Sequence, residues 1–164
     1  ETGDFFTTWA NRYDSDMPRT STEVLSEEDV FSMGDGEVVP LHLPGHTSDG
    51  MGFHIPHLST LIVGALLPRA DRPTRWDMPG GSLVEVVDSY KRMKRLNLSS
   101  IVPLQGPAIR GKSHVREVLD RHLAFYEEAV RNEGCPPASW DRPASTAVWL
   151  TPRSPWPLEE QEAV

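Results

Sequence analysis

Between residues 37 and 96 the hydrophobic period switches from two to 3.6, and a proline- and glycine-rich stretch separates the two regimes. From Glu37 to Leu43 the side chains alternate, with Val39, Leu41 and Leu43 on one face and Val38, Pro40 and His42 on the other. This is a strand, placed near a sheet edge because Pro40 cannot donate to a ladder. Gly52–Pro56 and Thr60–Ala65 read as two further strands, joined by a turn at His57-Leu58-Ser59 into a hairpin. Residues 66–81 contain Pro68, Pro73, Pro79, Gly80 and Gly81 and form a long loop, a class of segment that in small domains often carries function. Ser82-Leu83-Val84-Glu85 then reads as a capping box, because a serine hydroxyl can satisfy a free amide of the first turn. The helix that follows runs to Leu96, with Leu83, Val86, Val87, Tyr90 and Met93 as its apolar stripe.

The flanks extend the pattern. Phe5, Phe6, Trp9 and Tyr13 share one face of a helix over 4–13. Residues 14–34 read as loop with a short strand near Val24 and Leu25. Ile101–Leu104 is a short strand of the buried type. Ser113 is expected to cap a long helix whose Val115, Val118, Leu119, His122, Leu123, Tyr126 and Val130 line one face, ended by Gly134. A proline-rich tail, 135–164, holds one strand-like piece at 147–150. The order is helix, strand, hairpin, loop, helix, strand, helix: an α/β arrangement, a β-sheet with helices on one face.

Composition removes several functions. The 164 residues carry a net charge of −8, against the clustered lysine and arginine that phosphate neutralisation needs, so no nucleic acid is expected as a partner. The basic cluster Lys91, Arg92, Lys94 and Arg95 falls at a helix end, where cations complement the macrodipole. One cysteine, Cys135, leaves no internal disulfide and no thiolate zinc cage. No apolar run approaches the roughly 20 residues of a membrane span, so the expectation is a cytoplasmic chain without membrane contact.

Four pieces in order resemble the second half of metallo-β-lactamase-fold hydrolases, nearest the glyoxalase II-like and thioesterase-like branch. They are Val39–Thr47 (VPLHLPGHT), the hairpin ending Leu61-Ile62-Val63-Gly64-Ala65-Leu66-Leu67, the capped helix from Ser82, and Ile101–Pro107 (IVPLQGP). The resemblance covers roughly residues 1–134. It implies half of an αββα sandwich, completed by a second copy of the chain in a homodimer or by a missing N-terminal half. A lone half would leave a sheet face bare, with Val39, Leu41, Ile62 and their neighbours against water. The family's His-x-His-x-Asp-His motif does not occur. Where the resemblance places the bridging aspartate stands Ala65, where it places the last metal histidine stands Gln105, and only His46 matches a metal position. Zinc asks for three or four N, S or O donors, so no metal and no other cofactor is expected here, zinc returning only if missing ligands lie elsewhere.

The remaining candidates follow from residue type. His46 is the candidate acid/base, although packing alone can hold a histidine in such a turn. Arg69, Arg75 and Trp76 in the 66–81 loop suit an anionic or planar small molecule, against the alternative of a solvated charged loop. Gln105 can shape a pocket wall beside them. A new metal site from His42, His46, His54 and His57 is a weaker alternative, and His122, on an apolar helix face, reads as a core histidine. Three functions stay open: a degenerate family member that binds a small ligand or a protein partner; a hydrolase or thioesterase whose other active-site residues lie upstream or on another chain; and a metal-independent biosynthetic enzyme using His46.

Overall fold

Strand alternation and helix amphipathicity meet in one core. The computed structural model describes residues 25–77 and 79–137. The expected helix over 4–13, Val24 and the strand piece at 147–150 lie outside the described residues. Six strands, β1 (Phe31–Met33), β2 (Gly36–His42), β3 (Met51–Ile55), β4 (Thr60–Val63), β5 (Ser100–Val102) and β6 (Ile109–Arg110), stand side by side in chain order. Every neighbouring pair is antiparallel except β4 and β5, which are parallel. A parallel pair needs a crossover, and helix α1 (Leu83–Arg95) provides it. Helix α2 (Lys112–Arg131) follows β6 and packs beside α1.

The register determines which side chains meet the helices. Val39, His54, Leu61, Ile101 and Ile109 lie in one row across five strands, and Leu41, Gly52 and Val63 in the next. Leu61 and Ile101 are fully buried, in one cluster with Val86, Tyr90 and Met93 of α1 and Val115, Val118 and Tyr126 of α2. Val39 and Leu41 are therefore not on the bare face. Only Ile62 of the three is, since a period of two puts it opposite Leu61 and Val63. The other face carries Pro40, Phe53, Ile62 and Val102 in one row, and Ile62 remains 41% and Val102 37% exposed.

Three local expectations are corrected. β1 lies in the stretch read as loop, and its exposed Phe31, Ser32 and Met33 carry no alternation by which to find it. Leu25 is not in a strand. Ser113 does not cap α2: the helix begins one residue earlier, after Gly111, whose φ of 92° turns the chain out of β6 and whose place has no side-chain cap. By contrast Ser82 does cap α1, its hydroxyl accepting from the Glu85 amide at 3.4 Å. Pro40 is tolerated because β1 pairs no further along β2 than Val38, leaving that side of Pro40 open.

Candidate functional site

The turn after β2 is seated directly on α1. Gly45, at φ 134°, approaches so closely that a Cβ there would meet Val86 Cγ2 at 2.5 Å and the Val86 amide nitrogen at 2.6 Å. Only glycine fits this position. The Gly45 carbonyl accepts from the Ser82 amide at 2.9 Å, and the Ser89 hydroxyl donates to the Pro44 carbonyl at 2.8 Å. His46 thus projects from a turn whose two preceding residues, Pro44 and Gly45, are tied to the first turns of a helix.

The half-buried His46 ring is then oriented by the long loop. Its Nδ1 lies 2.9 Å from the Arg75 carbonyl oxygen and 3.1 Å from the Thr74 hydroxyl. A carbonyl can only accept, so Nδ1 carries the proton and the neutral ring presents an Nε2 lone pair. Thr74 is itself buried and fully engaged. Its hydroxyl donates to the Ala65 carbonyl at 2.8 Å, and its amide donates to the Tyr126 hydroxyl at 2.8 Å. His46 and Ala65, far apart in sequence, are therefore joined through a single threonine.

Behind this runs a buried polar knot. The Tyr90 hydroxyl lies 3.1 Å from the Leu66 carbonyl and 3.2 Å from His122 Nδ1, while His122 Nε2 donates to the Ala70 carbonyl at 3.0 Å. Tyr90 and His122 stack at 5.6 Å between ring centroids. Burial pushes the His122 imidazole down to about 4 and raises both tyrosine hydroxyls above their ordinary range. His122 is a core histidine with both nitrogens at hydrogen-bond distance from a polar neighbour, as its place on the apolar stripe suggests. The 66–74 part of the loop is correspondingly no solvated strap: Leu66, Leu67, Asp71 and Thr74 are all buried.

The other candidates take separate positions. Arg75 grips Asp77 through two bonds, Nε to Oδ1 at 2.9 Å and Nη2 to Oδ2 at 2.6 Å. That guanidinium holds the Asp77 carboxyl below its usual range. Trp76 lays its ring against Phe125 at 6.2 Å and Tyr126 at 5.9 Å, half-buried at the rim of the core. Arg69 pairs with buried Asp71 at 3.0 Å, and its side chain lies beside Gly106. Gln105 is exposed, and its backbone N–H donates to the Pro68 carbonyl at 2.8 Å, which ties the loop after β5 to the same long loop. His46, Ala65 and Gln105 are thus all fastened to the 64–77 segment.

The four-histidine alternative is not assembled. His42 Nε2 is engaged with the Ser48 carbonyl at 2.8 Å, and the His57 ring fills the space over Gly36. His54 faces the helix side between Val39 and Leu61, its Nε2 buried without a hydrogen-bond partner among the described residues and its pKa lowered by desolvation. Among the described residues no three His, Cys, Asp or Glu side chains come together as metal donors. Nor does any helix among them have the length and apolarity to cross a membrane. Sequence reasoning missed Thr74 as a partner of the His46 site. A lone threonine between a proline and an arginine carries no pattern.

Comparison with known proteins places this geometry. A family model described as Metallo-beta-lactamase superfamily matches residues 3–105. An uncharacterized protein of Aquifex aeolicus (strain VF5) is 44% identical over 69 residues, 42% of this chain and 32% of its own length. Among solved structures, a metallo-beta-lactamase from Pontibacter korlensis superposes with a TM-score of 0.53 at 18% identity, over 72% of this chain and 54% of its own. ETHE1 from Myxococcus xanthus gives a TM-score of 0.50 at 19% identity, over 68% and 52%. TTHA1429 from Thermus thermophilus, a metallo-beta-lactamase family protein, gives 0.51 at 16% identity, over 79% and 48%. This chain spans about half the length of these solved relatives and a third of the Aquifex protein.

Proposed function

The chain belongs to the metallo-beta-lactamase superfamily, and from that membership we propose that it binds a small anionic or carbonyl ligand at His46, without the family's zinc chemistry. The observation that carries this reading is the anchoring of His46 Nδ1 on the Arg75 carbonyl and Thr74 hydroxyl, which leaves Nε2 as the group available to a ligand. In its neutral form Nε2 offers a lone pair, and in its cationic form a donor to an oxyanion or carbonyl oxygen. The residues around it do not fit zinc. Ala65 brings only a carbonyl oxygen that already accepts from Thr74, and Gln105 brings an amide in place of an imidazole. Arg75 and Asp77, at the same mouth, form a pair whose guanidinium can turn to an incoming anion.

The test is an NMR titration with inorganic phosphate and with pyruvate, followed through the backbone amide resonances of Thr47 and Arg75. A saturable shift that is lost in His46→Ala is the expected result. No shift with either probe, or one that survives His46→Ala, overturns the reading.

A second reading is favoured by one observation, the chain's span of about half its solved relatives. A hydrolase or thioesterase could then draw further active-site residues from upstream or from another chain, with His46 Nε2 as one donor. Tight uptake of one zinc per chain, abolished by His46→Ala, would decide for it. The exposed Ile62 and Val102 on the face away from the helices support completion of that face by a second copy or by a further segment, which sedimentation over a concentration series distinguishes.

A further inference from the structure

The two oxygens that hold His46 Nδ1, the Thr74 hydroxyl and the Arg75 carbonyl, belong to consecutive residues of the long loop. Whatever fixes that dipeptide also orients the ring. Helix α2 grips the segment on both sides of Arg75 through one residue, Tyr126. The Tyr126 hydroxyl accepts from the Thr74 amide at 2.8 Å, and its ring stands edge-on to Trp76 at 5.9 Å between centroids. Tyr126 is fully buried, so the Thr74 amide has its partner inside the core rather than in water. The proton of this hydroxyl has a determined destination. Tyr90, to which Tyr126 is hydrogen-bonded, spends its single proton on the Leu66 carbonyl or on His122 Nδ1. Tyr126 therefore donates to the Tyr90 oxygen and keeps a lone pair for Thr74. A directed chain runs from His46 through Thr74 and Tyr126 to Tyr90.

We propose that Tyr126 is a positioning residue of the His46 site. Its hydroxyl, by holding the Thr74 amide, keeps the Thr74 and Arg75 oxygens where they fix the proton on His46 Nδ1 and turn Nε2 outward. A phenylalanine would fill the same volume and keep the ring contacts to Trp76, Tyr90 and Phe125. What the hydroxyl adds is therefore direction, not packing. This role rests on the reading of His46 as the ligand-binding group, but the state of the ring is measurable with no ligand present.

Tyr126→Phe in the whole chain is the test, with the His46 ring nitrogens observed by NMR in mildly alkaline solution, where imidazole is neutral. In the unaltered chain Nδ1 and Nε2 should show the well-separated shifts of a ring protonated on Nδ1 alone. In Tyr126→Phe they should converge toward the averaged pair of an untethered ring. Val118→Ala opens a cavity in the same core without touching the hydroxyl chain, and should leave the shifts in place. Phosphate binding, read at the Thr47 and Arg75 amides, should weaken about threefold in Tyr126→Phe, as fewer rings hold the competent orientation. If Tyr126→Phe does not fold, 3-fluorotyrosine at position 126 keeps the shape and makes the oxygen a poorer acceptor, and a smaller movement in the same direction is expected. The proposal is overturned by His46 shifts that stay in place in whichever replacement folds, that move equally in Val118→Ala, or that are already averaged in the unaltered chain. Convergent shifts in Tyr126→Phe without phosphate binding to the unaltered chain would refute the ligand reading and still support the positioning role.

Discussion

Two histidines, His46 and His122, hold the same long loop by the same device, a ring nitrogen donating to a backbone carbonyl, and end in opposite roles. His122 reaches the Ala70 carbonyl from inside the core, spends its second nitrogen on Tyr90, and is fully buried. His46 reaches the Arg75 carbonyl from the outer side, shares Thr74, and keeps the second nitrogen of its half-buried ring uncommitted among the described residues. The first is a clamp and the second is a clamp with a spare hand. What separates them is burial of the second nitrogen, because leaving a buried ring nitrogen without a partner costs free energy.

The largest effect that could break this contrast is His122→Ala. It removes a packed ring and strands the Ala70 carbonyl, so unfolding free energy should fall by about 4 kcal/mol in urea titrations. A loss below about 1 kcal/mol would mean that the knot does not hold the loop. His46→Ala in the same assay should cost under about 1 kcal/mol, since the half-exposed ring can be replaced by water.

Acidification should act on the clamp next. The His122 imidazole is depressed from 6.5 to about 4 in the folded chain. Above pH 6.5 both states are neutral and nothing is lost. Below it the unfolded chain takes a proton that the folded core refuses, and stability falls until pH reaches about 4. The full loss is about 3 kcal/mol. His54, also depressed by burial, adds in the same direction. In His122→Leu the slope of stability against pH between those limits should shrink, and an unchanged slope would assign the acid sensitivity elsewhere.

Thr74→Val probes the link between the two sides. It preserves shape and removes one hydroxyl, stranding the Ala65 carbonyl, and should cost roughly 1–2 kcal/mol. It should also loosen the His46 tautomer, read from the nitrogen shifts of the ring. A destabilised chain with unaltered His46 shifts would leave Arg75 alone as the anchor.

The smallest effect expected is on the rim. Arg75→Ala breaks an ion pair whose side chains are about a third and a half exposed, so stability should change by less than about 0.5 kcal/mol. Phosphate binding at His46 should weaken at the same time. If the variant is instead strongly destabilised, the Arg75 side chain belongs to the clamp and the contrast between the sites fails.

Much of the scaffold was readable from residue pattern. The alternation in 37–43 is β2, the turn at 57–59 closes the β3–β4 hairpin, and Ser82 caps α1, because each depends on neighbours within a few residues. β1 and β6 were missed since each is two or three residues long and is defined by its pairing partner. The start of α2 was misplaced because Gly111 leaves the sheet by a positive φ that no polar side chain announces. Of the site, His46, Ala65 and Gln105 were found by family likeness, but what they touch was not.

The sequence by itself determined the layered α/β class, the sheet-facing stripes of both helices and the residue types at the three strand ends, because periodicity and local capping act over one or two turns. Tertiary structure alone decided which nitrogen of each histidine is occupied, that Thr74 joins His46 to Ala65, and that the 66–74 part of the long loop is fastened to the helices rather than bathed in water. Those are contacts between residues 9 to 52 positions apart. A hydrogen bond selects a partner by position and direction in space, and a linear pattern carries neither.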